Sequence, residues 1–308
     1  MVYSNNLFIQ KAQSLGFDKI GFTKAEKLDQ EARQLEKWLH NGYHAEMTYM
    51  ERYFDLRVDP EKLCPGTKTI IVMSLPYDQE RPQKNSDQLQ VARYAYGKDY
   101  HKIIRKKTKE LISWMKECFG DIQARAFVDS GPVLERVWAS KSGISWNGKN
   151  TLSIHPKDGS YFFLSCIFTD LLFEFTQSIQ DHCGTCRRCI EACPTDAIAP
   201  QGYLLDASKC ISYATIELKN AIPESFRGKM ENWIFGCDIC QEVCPWNRFS
   251  KPTKEKELEA AWDLLELTKK EWMELSDEAF NMIAKESPMK RTGLEGMKRN
   301  VAFLKKLE

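Results

Sequence analysis

Residues 182–194 read HCGTCRRCIEACP and set four cysteines in the spacing C-x2-C-x2-C-x3-C-P. Bacterial ferredoxins bind a cubane iron-sulphur cluster with this spacing. Thiolates at every third residue of a tight loop can hold three corners of the cube, and Pro194 turns the backbone so that the fourth cysteine points to a second cluster. The motif therefore predicts a segment that folds around metal, with the ligands Cys183, Cys186, Cys189 and Cys193.

A second run, FGCDICQEVCPWN, occupies residues 235–247 and also ends in x3-Cys-Pro. It has three cysteines, and Cys210 stands alone between the two runs. Because the fourth cysteine of such a run ligates the other cluster, the eight ligands divide into two crossed sets. We expect one 4Fe-4S cluster on Cys183, Cys186, Cys189 and Cys244, and the other on Cys193, Cys210, Cys237 and Cys240.

Zinc is the alternative metal, because pairs of cysteines two residues apart also build structural zinc sites. Zinc ribbons do not need the x3-Cys-Pro ending that occurs twice here, so the spacing favours clusters. Eight of the eleven cysteines lie between residues 183 and 244 of a long chain, which favours metal over the disulfides of small secreted domains.

Length and composition are those of an ordinary soluble protein. The 308 residues are 43% hydrophobic and 28% charged, and the net charge of +1 does not by itself indicate a polyanionic partner. The best apolar run, YFFLSCIF at residues 161–168, is too short to span a membrane. The opening MVYSNNLFIQKAQ has no export signal and no twin-arginine pair, so we expect a cytoplasmic protein with no membrane partner.

The pattern of the chain predicts an α+β fold. Residues 1–175 mix helical and strand patterns, residues 176–250 hold the cysteines in short segments, and residues 251–308 are helical in pattern and cationic at the end. Buried strands are predicted at 69–75, 124–128 and 161–168, with an exposed loop at 76–90. Helices are predicted at 31–40, 102–119, 257–273 and 277–286.

The clusters conduct electrons, and the 175 residues before them indicate that something is reduced there. No G-x-G-x-x-G fingerprint follows a strand, so a nicotinamide or flavin in a Rossmann fold is poorly supported. Another redox cofactor or the substrate itself is expected in this part. The alternative is a non-catalytic electron carrier or iron-sulphur scaffold, which would leave residues 1–175 without a cofactor.

Several uncommon strings follow one another in order: ARYAYGKDYH at 92–101, FVDSGPVLER at 127–136, GISWNGKNT at 143–151, CISYATIEL at 210–218 and GCDICQEVCPWN at 236–247. With the first cysteine run they closely resemble epoxyqueuosine reductase over most of the chain. The resemblance implies a cobalamin-binding catalytic α/β domain at 1–175 and a ferredoxin-like domain with two 4Fe-4S clusters at 176–250. Residues 251–308 would be a short helical tail, a truncated form of the helical-repeat region of many relatives.

The activity implied by the resemblance is the removal of the epoxide oxygen from epoxyqueuosine in the tRNA anticodon loop, which gives queuosine. An external low-potential donor would supply electrons through the two clusters to cobalamin. A small-molecule cobalamin-dependent reductase of the reductive dehalogenase type is the alternative, because it shares these cofactors. Those enzymes normally carry a twin-arginine leader, which this sequence does not show.

The family's proton donor is the aspartate of its VD-S/T-G string, which is Asp129 here. Loss of the epoxide oxygen as water needs an acid within hydrogen-bond reach. Burial against a corrin ring would raise the pKa of this carboxyl and keep its proton available. The alternative is that Asp129 caps a helix beginning near Pro132.

Cobalamin contacts carried over from the family fall on Ser212, Asp238 and Arg57, although Arg57 can equally be a surface arginine. We expect neither His101 nor His155 to ligate cobalt, because no D-x-H-x-x-G string is present.

The tRNA partner needs a cationic rim, which residues 101–109 and 289–306 can provide. For each of these two segments a solvated helix face is the alternative. Lys219 lies where the family places an anticodon contact.

Overall fold

The fold is built on a four-stranded antiparallel sheet in the order β2-β3-β8-β5. The computed structural model describes residues 2–80, 83, 88–261 and 265–305. The strands are β1 (Val2–Tyr3), β2 (Ile20–Lys24), β3 (Thr69–Pro76), β4 (Gln90–Val91), β5 (Ala124–Phe127), β6 (Trp146–Asn147), β7 (Ser153–Ile154), β8 (Phe162–Thr169), β9 (Leu172–Phe173) and β10 (Trp233–Phe235).

Helices lie on both sides of this sheet and through the cysteine-rich part. The α-helices are α1 (Asn5–Ser14), α2 (Asp29–His40), α3 (Phe54–Val58), α4 (Pro60–Leu63), α5 (Tyr100–Phe119), α6 (Glu135–Lys141), α7 (Arg188–Glu191), α8 (Ile211–Ile216), α9 (Ile239–Glu242), α10 (Lys269–Glu274), α11 (Asp277–Ala284) and α12 (Gly293–Lys305). Short 3-10 turns occur at Thr48–Met50, Arg93–Ala95, Ala207–Lys209, Glu224–Phe226, Pro245–Phe249, Lys256–Leu258 and Pro288–Arg291.

The central strand β3 is apolar on both faces, because the sheet has a hydrophobic core on each side. Successive side chains of a strand point to opposite faces. Ile71 and Met73 accordingly join the core under α1 and α5, whereas Ile70 and Val72 join the core under α2 and α6. Strand β8 pairs with β3 along its whole length and alternates in the same way. The strands predicted at 69–75, 124–128 and 161–168 are confirmed, as are the helices at 31–40 and 102–119.

The cysteine-rich part is joined to the first part by main-chain pairing and a shared core. Strand β10 pairs in parallel with β4. Val91 and Tyr96 belong to the same apolar core as Phe235 and as Trp272 of the tail. The elements that carry the cysteines are short, with α7 and α9 of four residues each. Elements of this length have little intrinsic stability, which agrees with a segment that folds around metal.

The single continuous helix predicted at 257–273 is wrong, because among the described residues of that range only 265 and 269–273 are α-helical. Residues 256–258 form a 3-10 turn, and α10 begins only at Lys269. Thr268 accepts a hydrogen bond from the Glu271 N–H, and Glu271 bonds back to Thr268, so this capping box starts a new helix. The helix predicted at 277–286 is confirmed as α11.

Residues 81–82 and 84–87 of the predicted loop, residues 262–264 and the last cation of the 289–306 segment, Lys306, lie outside the described residues. Within the described part of the chain, no helix combines the length and apolarity needed to cross a membrane.

Candidate active site

A cavity of about 490 Å³ opens between the loops that follow β4 and β5 and the cysteine-rich part. Asp129 and Glu135 line one part of it, and Ser212 and Asp238 line another. The cysteines that line it are Cys193, Cys210, Cys237 and Cys240, which are the second expected set. One cavity therefore joins the expected acid to one expected cluster.

Asp129 lies in the turn after β5, with its side chain facing the cavity and 57% exposed. Its backbone is left-handed (φ 52°), a conformation that a residue other than glycine rarely adopts. Helix α6 begins at Glu135 and its N-cap is Leu134, which makes no side-chain capping bond. The alternative in which Asp129 caps a helix near Pro132 is therefore wrong. Strained backbone of this kind concentrates at functional sites.

His101 lies between two carboxylates. Its Nε2 is 3.1 Å from Asp129 Oδ2, and its Nδ1 is 2.7 Å from Asp99 Oδ1. Both ring nitrogens can donate only when the ring is the imidazolium ion. Burial lowers the pKa of His101, but hydrogen bonds to Asp129 and Asp99 outweigh it and raise the pKa to about 9. Asp99 also caps α5 by accepting the His101 backbone N–H, so the start of this helix fixes the ring.

The raised pKa expected for Asp129 depends on cover by a corrin ring, and the described residues by themselves shift this pKa in the opposite direction. Burial does raise the pKa of this carboxyl, but hydrogen bonds from His101 and from the Tyr100 hydroxyl, at 2.9 Å, outweigh it and lower the pKa below its ordinary value. At neutral pH the proton of the pair therefore sits on His101. The sequence did contain a signal for this role, because Asp99 and His101 stand two residues apart at a helix start.

Glu135 is a second carboxyl on the cavity that sequence reasoning did not find. Burial and the nearby charge of Asp129 raise its pKa to about 7, although the backbone N–H groups of Glu135 and Asp129 oppose the shift. Its Oε1 is buried and has no hydrogen-bond partner within the described residues. A carboxyl of this kind carries a proton close to neutral pH.

The structure brings the eight cysteines together in two neighbouring groups. One small space is lined by Cys183, Cys186, Cys189 and Cys244, and the cavity is lined by Cys193, Cys210, Cys237 and Cys240. Cys189 interacts with Cys183, Cys186 and Cys244, and Cys244 interacts with Cys183 and Cys186. In the other set, Cys240 interacts with Cys210 and Cys193, and Cys237 interacts with Cys240 and Cys210. Cys240 also interacts with Cys189, so the two sets are neighbours.

No three His, Cys, Asp or Glu side chains of the described residues converge as ligands of a single metal ion. A cubane needs its thiolates around a whole cluster and not around one ion.

Two of the three expected cobalamin contacts line the cavity. Ser212 lies at the start of α8, and Asp238 precedes α9. Asp238 is only 2% exposed, and its Oδ2 accepts the Arg93 backbone N–H at 2.8 Å. Burial raises the pKa of Asp238 to about 6, against the lowering effect of Arg93.

Arg57 does not line the cavity, so the structure gives it no contact with the space expected for cobalamin. Its side chain is buried and its Nη2 donates to the Tyr49 carbonyl at 3.0 Å, so it is not a surface arginine either. Its link to the cavity is electrostatic. Burial lowers the pKa of Arg57, and the charge of Glu135, which lines the cavity, opposes that shift.

Lys219 lies near the mouth of the cavity together with part of the tail. Its Nζ donates to the Arg291 carbonyl at 3.4 Å, and Arg291 forms a 2.7 Å ion pair with Glu217, which lines the cavity. Arg299, by contrast, donates to the carbonyls of Leu218, Asn220 and Ala214 and is a structural residue. Of these two tail arginines, Arg291 therefore lies at the expected cationic rim, whereas Arg299 fastens the tail to backbone carbonyls.

The chain is similar to known proteins over most of its length. The family model described as "4Fe-4S double cluster binding domain" matches residues 182–247, and the one described as "Epoxyqueuosine reductase QueG, DUF1730" matches residues 57–130. An epoxyqueuosine reductase of Cyclobacterium marinum is 51% identical over 299 residues, which cover 96% of this chain and 94% of that protein. The chain belongs to the epoxyqueuosine reductase family. It is therefore an oxidoreductase of tRNA modification that acts on epoxyqueuosine.

Other epoxyqueuosine reductases show the same relationship. The Escherichia coli protein is 39% identical over 293 residues, which cover 94% of this chain and 77% of that protein. A crystal structure of an epoxyqueuosine reductase with an epoxyqueuosine-modified tRNA-Tyr stem loop matches with a TM-score of 0.90 at 31% identity, covering 97% of this chain and 80% of that one. A Bacillus subtilis epoxyqueuosine reductase whose catalytic aspartate loop is swung out of the active site matches with a TM-score of 0.89 at 31% identity, again over 97% and 80% of the chains.

Proposed function

We propose that this protein reduces epoxyqueuosine to queuosine in the tRNA anticodon loop, with electrons carried by two 4Fe-4S clusters to cobalamin and with Asp129 and His101 handling the proton. The observation that carries the proposal is the shared cavity, which is lined by Asp129 and by the cysteines of one expected cluster. We assign this chemistry to residues 1–250 in two domains, 1–175 and 176–250, with 251–308 as a helical tail.

The residues of the cavity fit cobalamin. It is open and wide, and it offers buried polar atoms without partners in the described residues, Ser153 Oγ and Glu135 Oε1, which suit the amide side chains of a corrin. We propose Ser212, Asp238 and Ser153 as the residues that hold it. Bound there, cobalamin would supply the low-potential one-electron chemistry that protein side chains lack.

The protein's own part is the supply of protons. Deoxygenation of an epoxide takes two electrons and two protons and releases the oxygen as water. The imidazolium of His101 can pass its proton to Asp129 across their hydrogen bond as negative charge develops on the substrate oxygen. Asp129 is the residue of the pair that faces the cavity, and the Tyr100 hydroxyl holds its carboxylate in place.

We propose that the anticodon loop enters past Lys219 and Arg291, since proteins read RNA mainly through splayed single-stranded bases. Four further cations of α5, Lys102, Arg105, Lys106 and Lys109, are exposed and can contact phosphates. Among them, Arg105 reaches the Asp129 turn, because its Nη2 donates to Ser130 Oγ at 2.7 Å. Since tRNA is modified inside the cell, we place the protein in the cytoplasm.

The test is anaerobic incubation of the purified protein, supplied with iron, sulphide and cobalamin, with epoxyqueuosine-containing tRNA and dithionite. Nucleoside mass analysis should show queuosine in place of epoxyqueuosine. A halogenated phenol offered under the same conditions tests the dehalogenase alternative. Release of halide without conversion of the nucleoside would overturn the proposal.

A further inference from the structure

The first cysteine set lies against cationic residues and does not line the cavity. Cys183, Cys186, Cys189 and Cys244 enclose a small space that is also lined by Lys149, Arg188 and Trp246. Of the eight expected ligands, only those of the other set line the large cavity. If the cluster on the second set passes electrons into the cavity, the cluster on the first set is the one that receives them from outside.

An aromatic strip runs from this cysteine loop to the surface. The His182 and Trp246 rings lie 5.7 Å apart, and the Trp246 and Phe249 rings lie 6.0 Å apart. Phe249 is 38% exposed, and the Arg248 guanidinium lies 4.5 Å from the centre of its ring. An exposed aromatic ring with an arginine over it is a common anchor of protein interfaces.

The charge around this strip is positive and partly unpaired. Arg188 and Arg248 are exposed, and within the described part of the chain neither forms an ion pair with a carboxylate. Asp181 is occupied by the Tyr203 hydroxyl and the Cys183 backbone N–H, and Glu191 lies 3.5 Å from Arg187. Because the whole protein carries a charge of only +1, this concentration of cations is local.

We infer that the surface formed by Arg187, Arg188, Arg248 and Phe249, here called the arginine face, docks a small acidic carrier protein that delivers electrons one at a time at low potential. This inference rests on the proposed function and identifies the class of electron donor that the function requires. Two carrier molecules would each be oxidised by one electron, and these two electrons with two protons convert the epoxide to the alkene and water. Complementary charge would orient the carrier and speed its encounter with the first cysteine set.

The arginine face fits a protein better than the tRNA. The reacting nucleotide must reach Asp129, which faces the cavity lined by the other cysteine set. Arginine beside an exposed aromatic ring is also the composition that is enriched at the centre of protein interfaces. Binding of RNA to this face is therefore an outcome that the experiment must be able to detect.

The experiment compares the loaded protein with the double variant Arg188→Glu/Arg248→Glu. Binding of an acidic ferredoxin is measured by calorimetry at several salt concentrations, and turnover of epoxyqueuosine tRNA is measured with reduced ferredoxin and separately with dithionite. The variant should bind ferredoxin at least about tenfold more weakly, with a flatter salt dependence, and its turnover should fall further with ferredoxin than with dithionite.

The matched control is Lys116→Glu/Lys270→Glu, which makes the same change of charge elsewhere. Lys116 lies near the end of α5, about 24 Å along the helix from Tyr100, and Lys270 lies in α10. The control should bind ferredoxin like the unaltered protein. The milder Arg188→Gln/Arg248→Gln variant repeats the test should the charge reversal reduce the iron content.

Equal ferredoxin affinity of the variant and the control would overturn the inference. Loss of tRNA stem-loop affinity in the variant, with ferredoxin affinity kept, would make the face an RNA surface and would overturn it as well. Failure of the unaltered protein to form queuosine even with dithionite would instead count against the proposed function, so the two failures can be told apart.

Discussion

His101 Nε2 lies 3.1 Å from Asp129 Oδ2, and this contact decides where the proton of the site resides. The imidazole is held from its other side by Asp99, so it keeps its proton, while the carboxylate of Asp129 stays ionised and faces the cavity. The site therefore resembles a charged acid-base pair more than a single protonated carboxyl. Substitutions of Asp129 and of His101 should therefore change turnover, and its dependence on pH, in different ways.

Asp129→Asn should lower turnover by about 10² to 10⁴, because the amide cannot pass a proton to the departing oxygen. Cobalamin and iron content should be unchanged, since Asp129 is not among the expected ligands. Single-turnover formation of queuosine with dithionite measures the effect. The exposed Asp121→Asn variant serves as the control, and an Asp129→Asn protein as fast as this control would contradict the role of Asp129.

Turnover should fall as the pH rises through about 9, where His101 loses its proton. His101→Gln should remove this high-pH limb and reduce turnover below it. The folded-state pKa lies above the ordinary 6.5, so the stability contributed by His101 is complete below about pH 6.5 and is lost as the pH rises through about 9. The pH profile of kcat/KM and an NMR titration of the imidazole check both points, and an unchanged profile in the variant would rule out His101 as the proton store.

Glu135→Gln should stabilise the protein above neutral pH. The pKa of Glu135 is raised from 4.5 to about 7, so ionisation of this carboxyl costs stability as the pH rises from about 4.5 through 7. Removing the charge should add on the order of 1 to 3 kcal/mol to the free energy of unfolding at pH 8, and little at pH 4.5. Urea unfolding at the two pH values measures the difference, with the exposed Glu36→Gln as control. An equal effect at both pH values would show that Glu135 does not titrate in this range.

Pairs of cysteine variants should reveal the crossed ligation. Cys186→Ala and Cys244→Ala belong to one expected set, so the double variant should lose no more iron than either single variant, about half of the total. Cys186→Ala with Cys240→Ala removes a ligand from each set and should lose nearly all of it. Iron analysis and the visible absorption of anaerobically purified protein distinguish the outcomes. Loss of nearly all the iron from both double variants would instead indicate an uncrossed arrangement.

Lys219→Ala should weaken binding of the anticodon stem loop about equally for modified and unmodified RNA, because a phosphate contact carries no sequence information. The slope of log affinity against log salt should fall by about 1. Fluorescence anisotropy at several salt concentrations measures it. Lys62→Ala, in an exposed pair with Asp55, is the control, and an identical slope in both variants would remove Lys219 from the tRNA surface.

Local patterns gave the parts of the fold that depend on neighbours in sequence. The unbroken apolar run of β3 predicted a buried strand, which is confirmed. The cysteine spacing predicted two crossed sets of ligands, and this ligation stays a prediction. The proton arrangement was beyond such reasoning, because the carboxyl of Asp129 meets an imidazole 28 residues earlier in the chain through a left-handed turn. The sign of its pKa shift depends on that contact.

In the tail, sequence patterns also failed to predict the start of α10 and the structural role of Arg299. The apolar spacing of residues 257–273 suits a helix, but Thr268 and Glu271 bond to each other's backbone and start a new helix within it. Arg299 similarly reads as one of several cations in sequence, yet three backbone carbonyls surround its guanidinium. In both cases polar side chains satisfy the backbone, which apolar periodicity does not register.

The pairing of β4 with β10 determines which truncated forms of the protein can fold. A fragment that stops at residue 175 would keep the sheet and both of its helical layers, but Leu89, Val91 and Tyr96 would lose most of the buried apolar residues of their core, which lie within residues 207–304. When expressed alone, such a fragment should aggregate and be degraded, because it exposes apolar surface. Residues 89–96 therefore belong with the cysteine-rich part in packing, although they precede it in the chain by about a hundred residues.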